Sequence, residues 1–256
     1  MILMLGQILS DLAKISGLSA LINVFIGFFF GTIVLIRSIK LRQGLIFYFF
    51  LCIVFTLSPW YSSGFGYLFW SLTGNSLSYQ IYILLGNLFI PIAVIAWFNV
   101  YLTSYKPEKR KIILLLYGVF SIIFEIYLFY FLFFAPGAPV ESLLGVFADI
   151  NNPTDIDYKG FVLIYLGVSI ITACITGVHF ALKSIKEKVD KTIVWKGRFL
   201  LIAFIFFGIA AIFDAIIEMT PTLLLIIRII LAANTFLFYL GFILPKWAKK
   251  ILKIQD

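Results

Sequence analysis

Between residues 18 and 244 the chain runs seven times through an apolar stretch of membrane-crossing length, or nearly so, at 18–37, 45–60, 80–102, 112–134, 161–182, 198–219 and 222–244. Crossing about 30 Å of hydrocarbon takes about 20 apolar residues in a helix, the geometry that pairs every backbone polar group where no water can. Composition agrees, since 62% of the 256 residues are hydrophobic and 12% charged, against about 25% charged in soluble domains. The expected fold class is all-α: a polytopic membrane protein, one seven-transmembrane helix bundle over 1–256, with an interfacial segment at 1–16 and a basic tail at 245–256. The second stretch is the shortest. Ser58, Pro59 and the aromatic, glycine-bearing run from Trp60 to Trp70 either continue it, re-enter the membrane or lie along the interface.

Basic residues are retained on the cytoplasmic side of membranes, and they orient this chain. Of 20 Lys and Arg, 17 fall on one side: Arg37, Lys40 and Arg42; Lys106 to Lys111; Lys183 to Arg198; and Lys246 to Lys253. The other side holds Lys14 and Lys159 with Asp11, Glu141, Asp149, Asp155 and Asp157. The N-terminus is therefore expected outside and the C-terminus in the cytoplasm of a plasma-membrane protein. The net charge of +8 is a topology signal and no argument for nucleic acid. Partners expected at the basic face are anionic lipid headgroups or an acidic cytoplasmic protein.

The connections are too short for an appended catalytic domain, and HExxH, GxSxG and Walker A patterns are absent. Cys52 and Cys174 lie in apolar runs, and His179 is the one histidine, which argues against zinc and haem. A retinal Schiff base needs a lysine amine, but the seventh stretch offers only Arg228. No enzyme activity and no cofactor is expected.

Ionisable groups inside the hydrocarbon are costly and mark pairs or sites. Four stand there: Glu125, Asp214, Glu218 and Arg228. Thr220 and Pro221 read as N-cap and first turn of the seventh helix, so the sixth and seventh are antiparallel neighbours. Counting from that turn puts Asp214 and Arg228 at matching depth, and they are expected to pair, with Glu218 as a second acceptor nearer the surface. Two readings follow: a staple between two helices, or an outward cavity lined by Arg228, Asp214, Glu218, Asn87 beside Pro91, Glu125, Thr235 and Tyr239.

Three further patterns have bland readings that outweigh the sharp ones. Tyr117, Ser121 and Glu125, and Tyr165, Ser169, Thr172, Thr176 and His179, form stripes at helical spacing, more often glue between helices than a relay. Asn23, Gly27 and Gly31 suit close packing inside the chain better than a homodimer. In the connection 135–160, with Pro136, Pro139 and Pro153, a structured or lid-like loop is expected. There Asp149, Asn151, Asn152, Asp155 and Asp157 make a loose oxygen cluster that fails the EF-hand pattern.

Outside N-terminus, seven spans and inside C-terminus is similar to the seven-span sensor region of some prokaryotic histidine kinases. The ending from Tyr239 to Trp247 (YLGFILPKW) resembles that of uncharacterised archaeal seven-span proteins. The resemblance implies a stand-alone sensor that hands its signal to a separate cytoplasmic partner, and it carries over no functional residue. The function expected is sensory or receptor-like, with a small ligand or lipid in the outer half. The alternatives are a solute or proton-coupled transporter, running from Glu125 along the fifth stretch to His179, and a structural subunit.

Overall fold

The computed structural model describes residues 9–135, 137–149, 152–186, 190–217 and 220–254. Six helical segments are long and apolar enough to cross a membrane: 11–41, 79–105, 107–134, 160–186, 191–214 and 221–243. A pair bent by 51°, α2 (Gly44–Phe55) and α3 (Ser58–Thr73), qualifies when taken together. The chain is thus an all-α polytopic membrane protein with one small exception, a β-hairpin.

Helix α1 (Asp11–Leu41) starts at an N-cap, Ser10, whose side chain accepts a hydrogen bond from the Ala13 amide. The expected interfacial helix therefore runs, from Asp11 on, straight into the first span. Residues 1–8 lie outside the described residues. The side of α1 facing α2 and α3 is small. Gly31 abuts Val54, Gly27 abuts Leu57, Gly64 of α3 abuts Leu21, and Gly17 abuts Tyr67. These contacts descend α1 in order while α2 and α3 ascend, so the bent pair lies antiparallel along α1. The Gly27 and Gly31 strip is occupied within the chain.

Proline and local hydrogen bonding account for two breaks. Pro59 opens α3, and Tyr61 donates its hydroxyl hydrogen bond back across the bend to the Val54 carbonyl at 2.6 Å. Helices α4 (Tyr79–Asn87) and α5 (Ile90–Tyr105) meet at a second break, where Pro91 has no amide to donate. There Ser58 donates to the carbonyls of Leu85 and Gly86, and the Asn87 amide donates to Ile83. The first break thus supplies a donor to carbonyls that the second exposes.

Helices α6 (Arg110–Phe129), α8 (Gly160–Lys186), α9 (Lys191–Ile216) and α10 (Pro221–Ile243) complete the bundle, and a short α11 (Lys246–Ile251) follows. Packing closes a ring in the order α1, α2 with α3, α5, α8, α9 and α10, with α6 outside it against α5 and α8. At one end, after the single-turn α7 (Val140–Leu143), strands β1 (Gly145–Asp149) and β2 (Asn152–Tyr158) pair antiparallel. This hairpin is the structured loop of the connection 135–160. Thr154 donates to the Ala13 carbonyl of α1, Tyr79 donates to Gly145, and the Tyr158 hydroxyl sits over Gly86. The hairpin is thereby pinned to α1 and α4. The other end of the bundle carries the basic connections.

A candidate ligand cavity

Arg228 is 5% exposed on α10, one-third of the way from the hairpin end to the basic end. Thr220 caps that helix by accepting from the Leu223 amide, and Pro221 follows in its first turn, the tight start expected from sequence. The guanidinium Nη1 donates to Asp214 Oδ2 of α9 at 3.1 Å. The expected ion pair is present. Trp60 Nε1 donates to the same oxygen at 2.7 Å, and its ring lies 5.8 Å from the guanidinium carbon. From α1, Asn23 donates to the Arg228 backbone carbonyl at 3.1 Å. One buried cation thus joins α1, α3, α9 and α10.

These groups form the polar end of a cavity of about 1010 Å³ at the centre of the ring. Asp155, Asp157, Tyr158 and Lys159 of the hairpin region line that end with Trp60, Asp214 and Arg228. Toward the basic end the lining becomes Cys52, Val94, Trp97, Phe204, Phe207, Phe238 and Phe242. From Arg228 to Phe242 along α10 is about 21 Å at 1.5 Å per residue. The cavity is amphipathic along its length.

Its side is open between α8 and α9. Nearer the basic end these helices touch closely, with Gly208 against Cys174, Gly177 against Phe204 and Gly197 against the Ala181 carbonyl. Toward the hairpin, Leu163, Ile171, Ile212 and Ile217 each line the cavity while 39–57% exposed. Residues that belong both to a cavity wall and to the outer surface mark a side opening toward lipid.

The sequence-derived site residues divide. Asp214, Arg228 and Thr235 line the cavity, although Thr235 spends its hydroxyl proton on the Leu231 carbonyl. Asn87 does not: it is buried at the α4–α5 break. Glu125 stands on the far side of α5 and α6, in a separate groove of about 420 Å³ with Pro91, Ile95 and Phe129. Tyr239 packs on Phe30 of α1, away from the cavity. Glu218 lies outside the described residues. Sequence reasoning missed Trp60, read as part of a run that continues the second stretch, re-enters or lies along the interface but 5% exposed inside the ring, and Asp155, read as one of a loose oxygen cluster but lining the cavity. Pro59 is the one local signal that bends the chain and directs Trp60 inward.

Side chains of α5 and α6 pair along most of the α8 stripe. Tyr165 meets Ser121, Tyr117 donates to Thr172, Trp97 donates to Thr176, Tyr101 meets His179, and Tyr105 meets Ser184. Among the described residues no group of three or more His, Cys, Asp or Glu side chains could hold a metal.

Burial raises the Asp155 carboxyl from 3.8 to about 6, the charges of Asp214 and Asp157 push the same way, and Arg228 opposes them. A carboxyl that keeps its proton longer in the folded state stabilises the fold most below about pH 4, and that contribution is lost as pH rises through about 6. Asp155→Asn is therefore expected to raise Tm at neutral pH by about 2–4 °C and to flatten the stability profile between pH 4 and 6. Thermal unfolding of both proteins across that window checks this, and superimposable profiles would contradict it.

No family model, curated protein or solved structure matches this chain.

Proposed function

We propose that the protein is a non-enzymatic, seven-span receptor or sensor of the plasma membrane that binds a small amphiphile or lipid in the central cavity and passes the change to a separate cytoplasmic partner. The observation that carries this reading is the cavity itself, amphipathic, with a buried ion pair at one end and a side opening in a lipid-facing wall. Ligand sites are concave, largely apolar and furnished with a few convergent polar groups. Seven spans are supported by the bent pair's continuous contact with α1. The basic end is assigned to the cytoplasm, with the N-terminus outside, on the positive-inside rule. A proton-coupled carrier is less well supported, because most of the α8 stripe is paired with side chains of α5 and α6 and Glu125 faces the other groove.

Trp60 and Trp97 both line the cavity and are 5% and 4% exposed, so an acyl chain can touch them only from inside. In a variant that keeps these two tryptophans and loses Trp70, Trp195 and Trp247, lipids with brominated chains are expected to quench indole emission. Adding Ala211→Phe and Ile170→Phe to fill the cavity should cut that quenching several-fold. Equal quenching in filled and unfilled proteins would overturn the reading.

A further inference from the structure

Resting on the reading of the cavity as a ligand site, the hydrogen bonds left open at its polar end narrow the ligand's chemistry. Arg228 lines the cavity at 5% exposure and gives Nη1 to Asp214, yet among the described residues its Nε has no hydrogen-bond partner. The Tyr158 hydroxyl, also in the lining, is buried without one as well. A donor that is buried unpaired loses its hydration and gains nothing for it, so this end calls for an acceptor. It holds an open acceptor too. Asp155 Oδ1 takes the Ile156 amide at 3.0 Å, Oδ2 makes no hydrogen bond among the described residues, and the charges of Asp214 and Arg228 both reach the carboxyl. An unpaired donor and an unpaired acceptor thus border the same end of the cavity.

We infer that the cavity takes a long-chain alcohol, its hydroxyl oxygen accepting from Arg228 Nε, its hydroxyl proton given to Asp155 Oδ2, and its alkyl chain running toward Phe242. A hydroxyl is donor and acceptor at one atom, which is what the two open groups require. Charged heads fit worse. An anionic head would add a fourth negative charge beside Asp155, Asp157 and Asp214, against the two cations of the lining, Lys159 and Arg228. A cationic head would meet the Arg228 guanidinium and leave its Nε unpaired. An ether supplies the acceptor but has no proton for Asp155, which at pH 7.5 stands above its raised value of about 6 and is a carboxylate. The apolar wall of Trp97, Phe204, Phe207 and Phe238 suits an alkyl chain, and the α8–α9 opening lets one arrive from the bilayer without unseating the hairpin.

Dodecanol, dodecyl methyl ether, laurate and dodecylamine share a chain and differ in the head, so they separate the hydroxyl proton from the oxygen and both from charge. The full-length protein in lipid nanodiscs, followed by Trp emission and by Tm, is titrated with each at pH 7.5, with doses expressed as mole fraction in the bilayer. Dodecanol is expected to act at a mole fraction about tenfold lower than the ether, the worth of one hydrogen bond to a charged group, and lower than either charged compound by at least as much. Asp155→Ala should reduce dodecanol to the potency of the ether, while Asp155→Asn, which keeps an acceptor oxygen without the charge, should retain most of the gap. Burial of the Asp155 carboxylate is a cost at this pH, so both variants are expected to fold and a lost response reports binding. Arg228→Lys, which keeps a cation for Asp214 and loses the Nε donor, should weaken dodecanol and its ether alike, with Tm reporting its folding. If the ether or either charged compound matches dodecanol, if Asp155→Ala leaves the gap intact, or if folded Arg228→Lys responds as the parent does, the alcohol assignment is wrong and the cavity reading survives. If none of the four is felt, the cavity reading fails with it.

Discussion

Arg228→Met is expected to lower the unfolding free energy by about 3–5 kcal/mol, the usual cost of removing one partner from a buried ion pair. The loss is large because of what stays behind. Among the described residues Asp214 would keep only the Trp60 indole as a donor, and its carboxylate sits in a membrane protein's interior at 19% side-chain exposure. Adding Asp214→Asn should recover much of the loss, because two neutral groups of similar shape leave no buried charge behind. A double-mutant cycle in mixed micelles, read by denaturant or heat, is expected to give a coupling of about 2 kcal/mol or more. Additive single effects would mean that the two side chains stand near each other without holding the helices together.

Gly64→Val is expected to cost a further large amount for a reason with no charge in it. A Cβ on Gly64 would lie 2.9 Å from both the Cα and the backbone nitrogen of Leu21, and backbone cannot swing aside as a side chain can. Forcing the contact pushes α3 off α1, which for overpacked interiors costs about 1–3 kcal/mol and occasionally more. At roughly 2–4 °C per kcal/mol for a chain of this size, Tm should fall by about 5–10 °C. Gly118→Ala is the control. Nothing lies within 4 Å of a Cβ built there, in the middle of α6, so the substitution should be neutral or slightly stabilising by helix propensity. If both variants melt alike, the close crossing of α1 and α3 is not what the packing implies.

Helices and their depths were legible in the sequence because both follow from distance along the chain. Asp214 and Arg228 were matched by counting residues from Thr220 and Pro221, and their side chains meet. Helix rotation is another matter. Asn87, Glu125 and Tyr239 were placed on the correct spans, yet which way each points depends on the neighbour that claims the adjacent face. Gly17, Gly27 and Gly31 turn α1 toward α2 and α3, and Pro91 and Asn87 form a break that closes on its own carbonyls. Depth is a property of one helix, and facing is a property of two.

Asp155 and Trp60 escaped for a related reason. Each reaches the cavity only after the chain folds back, one through a hairpin and the other through the bend before α3, over separations that no periodicity spans. In the sequence Asp155 is one acid among several in a loose oxygen cluster. Its position is set by Thr154, which binds the first turn of α1, and by Tyr158, which fits only because Gly86 has no side chain.

The hairpin is pinned to α1 and α4 while the wall between α8 and α9 lies open. Anything that reaches Arg228 by that route has first dissolved in the bilayer. The quantity that sets occupancy by that route is a mole fraction in one leaflet, not a concentration in water. Two compounds with the same head and different chain lengths would then differ in potency mainly through how much of each the membrane holds, and titrations would have to be compared at fixed lipid.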